Sequence, residues 1–110
     1  MTLTLAVQAE AAAEVRDAIA WFDKGAQGRG QVFRSAFNDV VDRCLLWPES
    51  APVYGIDAGE VIVRSAGVPG FGYAIVYLVE GDVLYVVALA HQRRRPGYWQ
   101  ARLSPDSRER

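Results

Sequence analysis

Apolar residues recur along the chain with two different periods, and these periods predict where strands and helices lie. The clearest pattern is a pair of apolar runs, Tyr73–Val79 and Val83–Ala90, joined by the short acidic turn Glu80–Asp82. Val, Ile and Tyr fit a pleated surface, and Gly81 accommodates the positive φ of a tight turn, so the pattern predicts a β-hairpin. Because the second run is apolar at nearly every position, we expect both faces of that strand to be covered, which makes it a central strand.

Two segments with helical spacing precede this hairpin. Large apolar residues recur at intervals of three and four from Ala9 to about Lys24, and again from about Gln31 to Leu46, which predicts two amphipathic helices. The glycine-rich stretch 25–30 separates them. It has neither a preceding strand nor a GK[ST] ending, so we interpret it as a helix connection rather than a phosphate-binding loop. Pro48 ends the second helix, because proline disfavours the α conformation in the residue before it.

The remaining segments have weaker patterns. Residues 3–7 alternate and predict a first strand, residues 61–64 predict another, and residues 65–70 are typical of a turn. Residues 49–60 predict a loop with a short extended piece at Val53 and Tyr54. The predicted order is βααβββ, an α+β fold in which a helical hairpin packs on one face of a mostly antiparallel, twisted sheet. We expect one domain over residues 1–103 and a polar tail over residues 104–110.

Composition and charge narrow the function classes. A chain of 110 residues with 51% apolar and 23% charged residues suits one globular core. With no apolar run near the roughly 20 residues of a membrane span and no leader pattern, we expect a cytoplasmic protein with no membrane partner. Residues 1–90 hold six Lys or Arg against eleven Asp or Glu, a balance of -5, whereas residues 91–110 hold six Arg against two acids, a balance of +4. A contact with a polyanion should therefore be local, and the split equally suits an acidic partner segment.

Polar, cationic and aromatic residues are concentrated just after the last predicted strand. An imidazole suits acid–base work near neutral pH, guanidinium groups bind phosphate oxygens, and aromatic rings stack on bases. Together these are the parts of a metal-free ribonuclease. Arg64, at the end of a predicted neighbouring strand, could point to the same rim of the sheet. The residues of the cluster are His91, the single histidine, with Arg93, Arg94, Arg95, Tyr98 and Trp99.

Structural roles remain open for the same residues. A histidine at a strand end can be a hydrogen-bonded structural residue, and Trp99 can fold back onto the sheet as part of the core. At least one of the three arginines can pair with acids on the helices or solvate the surface. One His and one Cys in separate elements offer no ligand spacing, so no metal site is indicated, and no cofactor motif is present. Cys44 cannot form an internal disulfide and is expected to be a small buried hydrophobe.

Several short segments, taken in order over residues 3–102, carry a family resemblance. The most specific is the end of the last strand, Val86–His91, together with Arg93–Trp99 after it. The weaker ones are the helical segment 14–19 with Trp21-Phe22, then Trp47-Pro48, Val63-Arg64 and the segment 71–77. In these features the chain resembles the RelE/ParE superfamily of type II toxin–antitoxin toxins, specifically the ParE-like plasmid-stabilisation branch. The layout of that family matches the predicted order of elements.

The resemblance implies a small growth-inhibiting toxin bound by a cognate antitoxin whose C-terminal part wraps around it. ParE-like members inhibit DNA gyrase and need no catalytic residues, which would leave Arg93, Arg94, Arg95, Tyr98 and Trp99 as target-binding residues. RelE-like members are endoribonucleases that cut messenger RNA on the ribosome, and the catalytic residues would then be His91, Arg64, Arg93 and Tyr98. Whether the chain is an enzyme depends on this choice.

Three departures from the family pattern bear on the choice. Gly72 stands where Phe-Pro-Tyr has its proline, Ser65 stands where a second arginine is common, and the single lysine, Lys24, lies on the helical side. RelE-type nucleases have a lysine-rich surface, and a chain with one lysine lacks it. This absence favours gyrase inhibition over messenger RNA cleavage. The changes at Gly72 and Ser65 leave room for a third interpretation, a non-toxic protein that binds its antitoxin and helps it regulate transcription. We expect an antitoxin to dock in an exposed hydrophobic groove between the helices and the sheet, with acidic side chains meeting the arginines.

Overall fold

Five strands and two helices follow one another in the computed structural model, which describes residues 3–56 and 61–103. Segment 57–60 of the predicted loop and the predicted tail 104–110 lie outside the described residues. The elements in chain order are β1 (Thr4–Val7), α1 (Ala9–Gly25), α2 (Arg29–Leu46), β2 (Val53–Ile56), β3 (Ile62–Val68), β4 (Tyr73–Glu80) and β5 (Val83–His91), followed by a short 3-10 helix (Gln100–Leu103).

The strands form one sheet in the order β1-β5-β4-β3-β2. β1 pairs with β5 in parallel, and the other neighbours are antiparallel. β5 therefore has a strand on each side, which confirms its prediction as a central strand. The α+β class, the helical hairpin and the mostly antiparallel sheet are confirmed as well, with one more strand than predicted.

The extra strand and a longer β3 are the differences from the predicted layout. The predicted turn 65–70 is wrong over residues 65–68, because β3 continues to Val68 and pairs with β4 through Ala66 opposite Ile75 and Val68 opposite Tyr73. The turn is confined to residues 69–72. Gly72 has a φ of 72° there, which is a left-handed conformation. Proline, the residue at this position of the Phe-Pro-Tyr pattern, cannot adopt it, because its ring holds φ near about -65°. The predicted extended piece at Val53 is the edge strand β2.

An aromatic cluster joins the two helices to one face of the sheet. Phe33 of α2 is fully buried, and its ring centroid lies 5.1 Å from that of Phe22 on α1 and 5.1 Å from that of Phe71 in the turn before β4. The helices approach closely at Gly30, in the first turn of α2, where the backbone N–H donates to Asp23 Oδ1 at 2.8 Å. α2 begins at Arg29, two residues before the predicted start. Cys44 is buried, as predicted.

The opposite face of the sheet is covered by the C-terminal segment. Trp99 is only 3% exposed and packs with Val63, Leu78 and Val87, and with Tyr54 of the edge strand. This confirms that both faces of β5 are covered, by the helices on one side and by the residues after the strand on the other. The chain that follows β5 is therefore attached to the sheet, and its position matters for the candidate site.

Candidate binding cleft beside the arginine turn

A cleft of about 420 Å³ opens where α1 passes the C-terminal end of β5. Its floor comes from the sheet, one wall from α1, and the other wall from residues 91–98, which we call the arginine turn. The turn is closed by a backbone hydrogen bond of 2.9 Å from Arg94 N–H to the His91 carbonyl. Lining residues include Glu14, Asp17 and Trp21 from the helix, and Tyr73, His91, Arg93, Arg94 and Tyr98 from the sheet and the turn.

The two walls of the cleft carry opposite charges. Glu14 and Asp17 lie on the α1 wall, and the guanidinium groups of Arg93 and Arg94 lie on the other. The three arginines of the turn are exposed, and among the described residues none of them forms an ion pair. Of the two roles expected for at least one of them, pairing with a helical acid or solvating the surface, the described residues show the second. Glu14 on α1 forms its ion pair with Arg102, which lies after the arginine turn in the chain.

Glu14 is the most heavily engaged side chain at the cleft. Its Oε1 lies 2.8 Å from Arg102 Nη1 and accepts the Leu89 backbone N–H at 3.1 Å, while its Oε2 accepts the Tyr98 hydroxyl at 2.5 Å. Burial, with the hydrogen bond to Glu14 adding to it, raises the pKa of Tyr98 to about 12. A phenol held in this way is a poor proton donor or acceptor near neutral pH.

His91 and Arg94 are held by local contacts. His91 Nδ1 accepts the Arg93 backbone N–H at 3.1 Å, and its ring meets that of Tyr73 edge-on at a centroid distance of 4.9 Å. A neutral imidazole that accepts at Nδ1 carries its proton on Nε2. The Arg94 guanidinium stacks on the Tyr98 ring, 3.9 Å from its centroid. These contacts give the arginine turn a defined shape, and none of them pairs an arginine of the turn with a carboxylate.

Arg64 and Trp99 lie away from this cleft. Arg64 Nη1 donates to the carbonyls of Ala51, at 2.7 Å, and Glu49, at 3.2 Å, in the loop after α2. Its neighbour across the sheet, Tyr77, donates its hydroxyl to the Pro48 carbonyl at 2.6 Å. Arg64 thus serves a different loop and does not share a rim with His91. Trp99 is part of the core of the far face, so its indole has little surface to offer a target.

Sequence reasoning did not select three residues that shape the site: Glu14, Trp21 and Arg102. Trp21 is 68% exposed and lines the cleft, although the adjacent Phe22 is packed into the core. A large aromatic residue just off the buried stripe of an amphipathic helix was the signal that could have found it. No sequence signal joins Glu14 to Arg102, because the two are 88 positions apart.

Across residues 3–56 and 61–103, no group of three or more His, Cys, Asp or Glu side chains could hold a metal ion. In the same ranges neither helix combines the length and the apolar character that crossing a bilayer requires.

Comparisons with known proteins give a result at the level of the fold. No family model matches the chain, and no curated protein is similar to it in sequence. Among solved structures, a chain described as "Chromosomal ParDE TA system from P. aeruginosa" superposes with a TM-score of 0.69 at 12% sequence identity, over 82% of this chain and 96% of that one. The fold is ParE-like. A ParE-like fold confirms the expectation drawn from the order of motifs, and at this identity the likeness concerns the backbone arrangement alone.

Proposed function

We propose that the chain is the toxin of a type II toxin–antitoxin pair, that it acts by binding DNA gyrase, and that a cognate antitoxin neutralises it. The observation that carries the proposal is the ParE-like fold, which extends over 96% of a chain from a ParDE system. One exposed turn at the end of β5 carries three arginines, Arg93, Arg94 and Arg95. Such a turn is suited to recognition by a second macromolecule.

Two features of the cleft favour binding over catalysis. The hydroxyl of Tyr98 is committed to Glu14 and has a raised pKa, so it is a poor acid or base. Asp17 stands on the wall opposite the arginines, and its negative charge opposes a phosphodiester inside the cleft, whereas the charge of Glu14 is paired with that of Arg102. Arg64, the fourth member of the predicted catalytic set, is bound to the loop after α2.

The antitoxin segment we propose for this surface is acidic and apolar. Its carboxylates would pair with the exposed arginines of the turn, and an apolar side chain would pack on Trp21 beside the cleft. Charge complementarity of this kind raises association rates and selects partners. Trp21 supplies the large, partly apolar contact on which interface energy is usually concentrated.

Gyrase supercoiling by the purified toxin tests the target. We expect inhibition that grows with toxin concentration, together with growth arrest and a DNA-damage response on expression without antitoxin. Replacing Arg93 and Arg94 by alanine should weaken inhibition, whereas replacing Arg34 and Arg43 by alanine, the same loss of two charges at exposed positions of α2, should not. Gyrase that stays fully active at saturating toxin excludes it as the target.

A messenger RNA endoribonuclease is the second candidate, because His91, Arg93 and Tyr98 do meet in one cleft. It predicts cleaved transcripts in arrested cells and loss of toxicity in His91→Ala with antitoxin binding retained. Intact transcripts, or full toxicity of His91→Ala, would reject it. If expression has no effect on growth, the antitoxin-binding co-regulator becomes the better description.

A further inference from the structure

The outer edge of β5 is longer than the strand that covers it. β1 pairs with residues Val83 to Val86, and the Gln8 backbone N–H then donates to the Val86 carbonyl at 3.0 Å. Among the described residues, this is the last backbone hydrogen bond that β5 receives on that edge. β5 continues to His91. Buried backbone N–H and C=O groups need hydrogen-bond partners, so an edge left without a strand must be satisfied in another way.

Three side chains satisfy this edge. Arg102 Nη1 donates to the Val87 carbonyl at 3.1 Å, the Leu89 N–H donates to Glu14 Oε1 at 3.1 Å, and the Tyr98 hydroxyl lies 3.3 Å from the Leu89 carbonyl. Val87 is the extra residue of a bulge, because Val86 and Ala88 pair with consecutive residues of β4. The three side chains thus replace the missing length of β1. We call this set, Glu14, Tyr98 and Arg102, the Glu14 clamp.

Glu14 is the centre of the clamp because the other two members bind to it. Both of its oxygens accept bonds from residues that follow β5, one from the Tyr98 hydroxyl and the other from the Arg102 guanidinium. The Glu14 side chain is 18% exposed and the Arg102 side chain 17%, so water can replace these bonds only in part. Removing one partner of such a pair leaves the other charged or polar group without a full set of partners.

We propose that Glu14 is a positioning residue that holds the C-terminal segment 98–103 on the edge of β5 and thereby fixes the arginine turn at the cleft. The link to the turn is direct, since Arg94 stacks on the ring of Tyr98, whose hydroxyl Glu14 holds. The clamp itself is defined by hydrogen bonds within the chain. Its consequence for partner binding rests on the proposed function.

Trp99 offers a spectroscopic test, because it is the one buried tryptophan of the three. Trp21 and Trp47 are 68% and 64% exposed, so Trp21→Phe with Trp47→Phe leaves Trp99, at 3% exposure, as the reporter of segment docking. In that background Glu14→Gln should shift the emission of Trp99 to the red and make it accessible to acrylamide, with the far-UV circular dichroism unchanged. The matched control is Glu49→Gln, the same change at an exposed position in the loop after α2.

Two further readouts separate positioning from general stability. Amide exchange at Leu89 and over residues 98–103 should accelerate in Glu14→Gln while the protection of α2 and β4 persists. The Tyr98 phenol should titrate below about 12, since the hydrogen bond to the carboxylate is lost. Unchanged Trp99 accessibility and unchanged exchange in Glu14→Gln would overturn the proposal.

Arg102→Gln is a second variant, which keeps the test conclusive if Glu14→Gln fails to fold. It removes the cation and leaves Glu14 in place, and the proposal expects the same release of Trp99. If both variants lose helix and sheet signals together with Trp99 burial, the three residues are part of the cooperative core and the positioning role is wrong.

Partner affinity completes the test. Glu14→Gln should weaken binding to the antitoxin by about tenfold, as expected when a contact surface loses its pre-organisation. Unchanged affinity in a variant that releases Trp99 would refute the link between the clamp and the arginine turn. Failure of the wild-type protein to inhibit gyrase would instead refute the proposed target and leave the spectroscopic result standing.

Discussion

Replacing Gly30 by alanine tests how tightly the helical hairpin is built. Gly30 is buried where α2 crosses α1, and a Cβ on it would lie 2.5 Å from the Ile19 carbonyl oxygen and 2.7 Å from Asp23 Cγ. Alanine is the better helix former by about 1 kcal/mol, so propensity alone predicts stabilisation. The structure predicts the opposite, because the Ile19 oxygen belongs to the backbone of α1 and cannot rotate away.

The magnitude follows from the overlap. Real Cβ contacts are essentially never shorter than 3.0 Å, so α1 and α2 must separate locally by at least the missing 0.5 Å. Overpacking of this kind costs about 1–3 kcal/mol. The separation also strains the hydrogen bond from Gly30 N–H to Asp23 Oδ1, which contributes about 1 kcal/mol and offsets the gain in propensity. We expect a net loss of about 2 kcal/mol, which lowers the melting temperature of a chain of this size by about 8 °C.

Thermal and urea unfolding followed by circular dichroism measure this loss. Gly25→Ala is the matched control, because Gly25 ends α1 at an exposed position where an added methyl group would have no atom within 4 Å. That variant should be neutral or more stable by about 0.5 kcal/mol. Asp23→Ala isolates the hydrogen bond and should cost about 1 kcal/mol. A Gly30→Ala protein that melts at or above the wild-type temperature would refute the packing argument.

Three other predictions concern the sheet and the residues after it. Tyr77→Phe leaves the Pro48 carbonyl without its donor and should cost about 1–3 kcal/mol by urea unfolding, and an unchanged midpoint would contradict that role. Trp99→Ala opens a cavity on the far face and should cost about 3–5 kcal/mol, whereas loss of gyrase inhibition at unchanged stability would assign the indole to the target surface instead. The folded-state pKa of Tyr98 is raised from 10.0 to about 12, so its contribution to stability is complete below pH 10 and is lost as the pH rises through 12. Melting temperatures across this window should fall less steeply in Tyr98→Phe, and parallel curves would refute the assignment.

The position of the arginine turn was predictable because it depends on local pattern. An apolar run ends at Ala90, and polar, cationic and aromatic residues follow at once, so the cluster had to lie at the end of a strand. The structure brings His91, Arg93, Arg94 and Tyr98 to one cleft, as that pattern indicates. Arg64 was placed wrongly because the side it faces depends on the pairing of β3 with β4 and on a loop that offers it two carbonyls.

Periodicity by itself determined the two helices, the hairpin and the central place of β5, since each follows from which side chains avoid water over a few turns or a few strand residues. Only the tertiary structure decided the last half of β3, the pairing of the extended piece at Val53 with β3 as the strand β2, and the clamp at Glu14. The side chains of residues 65–67 have too little apolar surface to predict a strand from the sequence. They form one because β4 supplies backbone hydrogen-bond partners for Ser65, Ala66 and Gly67. Glu14 acquires its role because β1 ends before β5 does, and a strand edge left without a neighbour must take its hydrogen bonds from wherever the chain returns.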